Sequence, residues 1–252
     1  MNIIGKKAVV VGGASGMGRA TAEALAAGGA NVAILDREGS AGKEVATEIG
    51  AIFHPIDITD HEGAEQTLAA AVSDLGALHI AVNTAGGGTV KKTLGRNGPH
   101  DLETFQNVVN LNLVSTFNLN RLQAFHMSHN EPEDDERGVI VNTSSIAAFE
   151  GQIGQVAYSA AKAGIAAMAL VMARDLGPQG IRVLAIAPSL FATGATAKFT
   201  AEQVAPLVED AAFPKRMGRP EEFAKLALAI VDNPMLNGQA LRLDAGQRFA
   251  PR

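Results

Sequence analysis

The 252-residue sequence predicts a single doubly wound α/β domain, a parallel sheet covered by helices on both faces. Three observations point there. Short, β-branched runs recur with apolar residues on consecutive positions, the pattern of strands buried on both faces. Ala/Leu-rich segments of helical length lie between them. Nearly every run ends in Gly or a polar residue, which gathers the reactive side chains at one edge of the sheet, where open α/β sheets bind ligands.

The elements follow in order. "KAVVVGG" (6–13) reads as the first strand and 17–28 as the helix after it. "NVAILD" (31–36) is the second strand, and "AIFHPID" (51–57) is a weaker third, followed by a helix over 61–75. "LHIAVN" (78–83), "GVIVNTSS" (138–145) and "IRVLAIAP" (181–188) are strong strands, with a helix over 155–176 between the last two. "QALRLD" (239–244) is a weaker final strand. No Ser/Pro-rich linker or low-complexity tract divides the chain, so one domain spans 1–252.

Composition narrows the function. Net charge is −5 with no basic stripe, which argues against a nucleic-acid or anionic-membrane binder. The absence of cysteine excludes disulfides, thiolate zinc sites and a Cys nucleophile. The N-terminal "MNIIGKKAVVVGGASG" lacks the build of a signal peptide, and no apolar run approaches the roughly 18 residues of a membrane span. A soluble cytoplasmic protein is expected.

Gly12, Gly16 and Gly18 stand at the first strand-to-helix turn, spaced G-x-x-x-G-x-G. Glycines there let the backbone turn tightly and approach a pyrophosphate, whose charge meets the free N–H groups of the helix start. Asp36 ends the second strand, near the spacing of the carboxylate that holds adenosine ribose hydroxyls. It would repel a 2′-phosphate and favours NAD over NADP, although Arg37 beside it could take such a phosphate. Asp57 with the Ile58 N–H is expected at the adenine. Asn83, Thr84, Ala85 and Gly86 bring a small-residue backbone against the adenosine side.

Tyr158 is the only tyrosine, and Lys162 follows one helical turn later on the same face. Ser145 lies at the end of a strand, ahead of both. A phenol with a pKa of about 10 is a poor base at neutral pH. A nearby ammonium and the positive nicotinamide ring are expected to lower it, so that Tyr158 takes the proton of an alcohol as hydride leaves its carbon. Ser145 would hold the same oxygen.

These motifs, with Asn112 in "VNLNLVSTF", resemble the short-chain dehydrogenase/reductase family over essentially the whole chain. The resemblance implies a seven-stranded parallel Rossmann sheet, a homotetramer, and Ser145, Tyr158 and Lys162 as catalytic residues. It implies that Asn112 completes a tetrad by holding a water that links Lys162 to solvent, and that Lys162 bonds the nicotinamide ribose. It places Ser15, Met17, Thr84, Tyr158, Pro188, Phe191 and Thr193 against NAD. More narrowly, "ERGVIVNTSSIAAFEGQIGQVAYSAAKAGI" and "NPMLNGQALRLDAGQRFAP" resemble the type 2 short-chain 3-hydroxyacyl-CoA dehydrogenases, also known as 17β-hydroxysteroid dehydrogenase type 10. The insert at 91–104 and the acidic loop at 129–138 fit that subgroup. The implied substrate is a 3-hydroxyacyl-CoA. The alternatives are a steroid or other bulky alcohol, a 3-oxoacyl-carrier-protein reductase using NADP, or a dinucleotide sensor without turnover.

The chain departs from the pattern at Val11 and Thr84, at Ser189 where the family has Gly, and at Gly194–Ala195 where the subgroup has Pro and larger apolar residues. Segment 189–213 is expected to be the substrate lid, stiffened at Ser189 and loosened at Gly194. Within it, 200–213 reads as a helix with an apolar face that packs onto the domain or covers substrate. His126 and His129, ahead of acidic residues 131–135, read as a solvated helix end and not as a metal site. The tail 241–252 either frays or meets a neighbouring subunit.

Overall fold

The computed structural model of the chain describes residues 1–251; Arg252, at the end of the tail, lies outside them. Seven parallel strands form the sheet: β1 (Lys7–Val11), β2 (Asn31–Asp36), β3 (Ile52–Pro55), β4 (Ile80–Asn83), β7 (Gly138–Thr143), β8 (Ile181–Pro188) and β9 (Ala240–Leu243), in the spatial order β3-β2-β1-β4-β7-β8-β9. The chain runs outward from β1 to β3, then returns to β4 on the other side of β1. That reversal opens a crevice at the carboxyl ends of β1 and β4, where ligands of doubly wound folds sit. Two short strands, β5 (Leu94–Gly95) and β6 (Gly98–Pro99), make a separate antiparallel hairpin within the 91–104 insert.

The consecutive apolar runs are explained by burial on both faces. In β1, Val9 and Val11 pack on one side of the sheet while Ala8 and Val10 pack on the other. The first side is covered by α3 (His61–Leu75), α5 (Ser115–Ser128) and α6 (Val156–Leu176), and the second by α1 (Gly16–Ala27), α2 (Gly42–Ile49) and α8 (Pro220–Asp232). Asp60 caps α3 by accepting the Gly63 N–H at 3.1 Å.

Four expectations change. Val156–Gln179 is apolar and long enough to cross a membrane by length and composition, contrary to the sequence reading; it packs through Ile165 and Ala169 onto β8 and carries the buried Lys162. The 200–213 stretch is not one helix. It holds a single helical turn, α7 (Ala201–Val204), and a tighter turn at 205–207, because Pro206 has no N–H to continue the ladder. The acidic loop is not simply solvated: Glu133 and Glu136 bridge a tight turn, and Glu136 is withdrawn onto Arg182 at 2.7 Å. The described part of the tail is anchored, with Gln247 2% exposed.

Candidate active site

The first turn after β1 shows why glycine is required there. Gly12 has φ +82°, and a side chain on it would stand 2.6 Å from the Thr84 Oγ1 and 2.7 Å from the Ala85 nitrogen. A side chain on Gly18 would collide with the Gly12 carbonyl and with Thr84. Thr84 itself donates its hydroxyl to the Val11 carbonyl at 2.9 Å, bracing the loop against β4. Gly16, with φ +52°, lies directly beneath Thr193, whose Cγ2 would be 2.8 Å from an added Cβ. Ser15 precedes α1 in extended conformation and makes no side-chain cap, so the N–H groups of the first turn stay available to an anion. This cradle fits a dinucleotide pyrophosphate.

Asp36 is held at the mouth of that cradle. Its Oδ2 accepts the Ala14 N–H at 3.0 Å and its Oδ1 the Arg37 N–H at 2.8 Å. Asp57 accepts from the Thr59 hydroxyl at 2.6 Å and the Thr59 N–H at 2.9 Å. Those bonds, the hydroxyl first, hold its carboxyl below the usual range, and the charge of Arg37 adds to the effect.

At the other end of the crevice the last residues of β7 organise α6. Thr143 offers its carbonyl to the Lys162 Nζ at 2.8 Å, and the Ser144 hydroxyl donates to the Lys162 carbonyl at 2.7 Å. The two ends of one lysine residue are thus fixed by neighbouring strand positions. Ser145 Oγ accepts the Ala147 N–H at 3.1 Å, which leaves its hydrogen free to be donated elsewhere. Lys162 Nζ lies 5.6 Å from the centre of the Tyr158 ring. Lys162 is 3% exposed, and burial brings its pKa from 10.5 down to about 8. Burial pushes the Tyr158 phenol up, outweighing the opposing hydrogen bond with Ser145. The expected lowering of that phenol is therefore not present in the chain alone: desolvation dominates, and the positive ring that was part of the expectation is not a protein group.

A cavity of about 590 Å³ joins the two ends. Gly12, Ser15, Gly16, Met17, Gly18, Asp36, Asp57, Ile58, Thr84, Ala85 and Gly86 line it, together with Ser145, Tyr158, Lys162, Pro188, Phe191 and Thr193. Two expected residues are not in its wall. Asn83 points to the opposite face of β4 from Thr84, as strand alternation requires, and its amide joins Asn120, Gln123 and Asn142 in a buried network at 2.8–3.0 Å. Asn112 is fully buried behind Gly86. It accepts the Gly87 N–H at 3.2 Å and donates to the carbonyls of Gly87 at 2.7 Å and Val108 at 2.8 Å. It sits in a widened turn at Asn110–Val114, between α4 (Leu102–Val109) and α5, where Ser115 donates to the Asn110 carbonyl at 2.9 Å. Asn112 therefore braces the 86–87 wall, and its Oδ1 and the Lys162 Nζ both flank Gly86, at 2.7 and 3.3 Å from where its Cβ would stand. Thr143 does not stand out in the sequence, and Ser144 does so only as a strand-end residue beside Ser145; the Thr-Ser-Ser run was the available signal. His129 turns its Nδ1 to the Phe125 carbonyl at 2.8 Å, within its own helix end.

The model of the short chain dehydrogenase family matches residues 6–204. The chain belongs to that family. Among proteins it is similar to, a 3-hydroxyacyl-CoA dehydrogenase type-2 of Drosophila melanogaster is 48% identical over 96% of this chain and 97% of its own. The crystal structure of 3-hydroxyacyl-CoA dehydrogenase type-2 from Mycobacterium avium superposes with a TM-score of 0.94 at 41% identity, covering 98% of both chains. A 7α-hydroxysteroid dehydrogenase in complex with NADH and 7-oxo glycochenodeoxycholic acid superposes at 0.89 with 30% identity, covering 100% of this chain and 98% of that one. This short-chain dehydrogenase is an oxidoreductase acting on CH–OH groups.

In this short-chain dehydrogenase the 189–213 segment starts from Ser189, which donates its N–H to the Leu243 carbonyl at 3.1 Å. Gly194 sits at the start of a turn in the middle of this segment. It takes φ +51°, a conformation that suits glycine, and opens a tight turn capped reciprocally by Thr193 and Thr196. Phe191 is 6% exposed and presses on Gly218, where a Cβ would stand 2.6 Å from its ring.

Proposed function

We propose that the chain oxidises the hydroxyl of 3-hydroxyacyl-CoAs with NAD as acceptor, and reduces the 3-oxo compound in reverse. The observation that carries the reading is the meeting of Ser145 and Tyr158 at one end of a cavity whose other end is a glycine cradle with Asp36 at its mouth. The similarity to 3-hydroxyacyl-CoA dehydrogenases type-2 supports the substrate.

When bound, the nicotinamide supplies the hydride acceptor and a positive charge. The chain's residues do the rest. Ser145, oriented by the Ala147 N–H, donates its hydroxyl hydrogen to the substrate oxygen. Tyr158 takes the hydroxyl proton, and Lys162 keeps positive charge beside the phenol. Asp36 accepts the adenosine ribose hydroxyls and disfavours a 2′-phosphate, which supports NAD over NADP.

Tyr158→Phe is expected to reduce turnover of acetoacetyl-CoA with NADH by about 10³-fold or more while dinucleotide binding stays within about twofold. Retained turnover would overturn the assignment, and turnover with NADPH alone would overturn the cofactor. The similarity to a steroid dehydrogenase makes a steroid alcohol the second substrate to assay beside the CoA ester and its CoA-truncated thioester. We also propose a homotetramer, since Phe117 and Phe125 of α5 and Val171 of α6 are all at least half exposed; light scattering of the purified chain tests it.

A further inference from the structure

Five consecutive residues after Arg242 hold the lid at three separate points. Leu243 accepts the N–H of Ser189 at 3.1 Å, where the lid starts. Ala245 accepts the N–H groups of Ala212 at 2.9 Å and Phe213 at 3.1 Å, where it ends. Between these, the buried Gln247 amide donates to the Leu207 carbonyl at 2.8 Å. The turn is itself fixed. Ala245 and Gly246 both take left-handed backbone, at φ +55° and +73°. The N–H groups of Gly246 and Gln247 both return to Asp244, at 2.9 and 2.8 Å.

Arg242 joins this turn to a second piece of the site. Its Nε donates to Asp244 at 2.6 Å, and its two terminal nitrogens grip the Glu150 carboxylate at 2.8 Å each. One of them also donates to the Gln247 carbonyl at 3.0 Å. The guanidinium lies over Phe149, 5.2 Å from the ring centre. Phe149 and Glu150 belong to the loop that runs from Ser145 to α6, and α6 carries Tyr158. The pair is about three-quarters buried, with side chains 22% and 27% exposed, and a two-point fork fixes orientation as well as distance.

We propose that Arg242 is a positioning residue for the reaction: through the Glu150 fork it registers the loop between Ser145 and Tyr158 against both ends of the lid. It does not line the cavity. The inference rests on the reading of Ser145 and Tyr158 as the pair that meets the substrate oxygen. Proton and hydride transfer depend steeply on that geometry. Among the described residues the hub's hydrogen bonds run to Ser189, Leu207, Ala212, Phe213 and Glu150 and none to the glycine cradle or to 190–193, which Gly218 holds separately, so its loss acts on substrate more than on cofactor.

The test compares Arg242→Gln, Glu150→Gln, their double variant and Arg242→Lys with the wild-type enzyme, using acetoacetyl-CoA and NADH. Each single variant is expected to lower kcat/KM for the CoA ester roughly tenfold to a hundredfold. The dinucleotide KM should stay within about twofold. Arg242→Lys keeps the charge and loses the fork, so it should resemble the Gln variants and serves if those fold poorly. The double variant should be no worse than either single one, since one link is cut. Amide hydrogen exchange should quicken at 149–153 and 207–213 and stay unchanged at 12–18. A pair that merely stabilised the fold would leave turnover per folded enzyme and the local exchange pattern at wild-type values; that result, or an equal rise in the dinucleotide KM, overturns the inference. If the wild-type enzyme does not reduce acetoacetyl-CoA, the substrate reading fails, and the exchange pattern alone still decides the role of Arg242.

Discussion

Gly16 and Lys162 show how single residues are committed at this site. Gly16 combines φ +52° with the close approach of Thr193, so Gly16→Ala both strains the backbone and lifts the lid. We expect the dinucleotide KM to rise about tenfold or more with a smaller change in kcat, read from a steady-state cofactor titration. Lys162 is charged where water cannot reach it. Its pKa falls from 10.5 in the unfolded chain to about 8 in the fold, so the folded state binds fewer protons between those values. The burial penalty is fully present below pH 8 and is relieved as pH rises toward 10.5. The stability of the wild-type chain relative to Lys162→Met should therefore improve by up to about 3 kcal/mol between pH 7 and pH 10.5, measured by urea unfolding of both. An unchanged difference would show that Lys162 keeps its ordinary pKa. At this scale the sequence was informative: Ser145, Tyr158, Lys162 and the three glycines announce themselves by residue type and spacing. Asn83 did not, because an amide beside a glycine loop looks the same whether it faces a ligand or the core.

The elements divide by how their residues meet the core. β1, β2, β4, β7 and β8 are buried on both faces, so apolar residues on consecutive positions identified them from sequence alone. The α4–α5 segment did not stand out, because α5 buries Asn118, Asn120 and Gln123 where an amphipathic helix would bury leucines. The turn at Asn110–Val114 was also hidden, since its cause is a set of side-chain bonds to the backbone and not a breaker residue. Asn112→Ala removes three of those bonds and leaves the Gly87 N–H and carbonyl without partners. We expect a loss of about 1–3 kcal/mol in unfolding free energy together with a lower kcat, because the wall carrying Gly86 and Gly87 loses its support. Normal kcat on a destabilised chain would confine Asn112 to stability. The internal form of 189–213 was not legible in the sequence: Pro206 interrupts the 200–213 helix that the apolar spacing suggested, and Gly194, outside that stretch, opens a separate turn at positive φ.

Across the whole molecule the two edges of the sheet carry different duties. The carboxyl edge holds the cavity, while the amino edge is tied by a buried ion cluster. Arg182 binds Glu136 at 2.7 Å and donates to the carbonyls of Ile230 at 2.7 Å, Val231 at 2.9 Å and Leu236 at 2.9 Å, closing the end of α8. Arg182→Met leaves Glu136 buried with one cation fewer. It should cost about 3–5 kcal/mol in denaturant unfolding with kcat per folded enzyme unchanged. A fall in kcat instead would mean that the two edges are coupled. The last strand, by contrast, belongs to both architecture and chemistry. β9 pairs only with β8, at residues Ala185–Pro188, yet it leads straight into the residues that suspend the lid. On a ribosome the glycine cradle, Ser145, Tyr158 and the 189–213 segment are all synthesised before the residues 243–247 that tether that segment. A nascent chain ending near residue 238 would carry every residue assigned to proton transfer and would lack the tethers from Leu243, Ala245 and Gln247 to that segment.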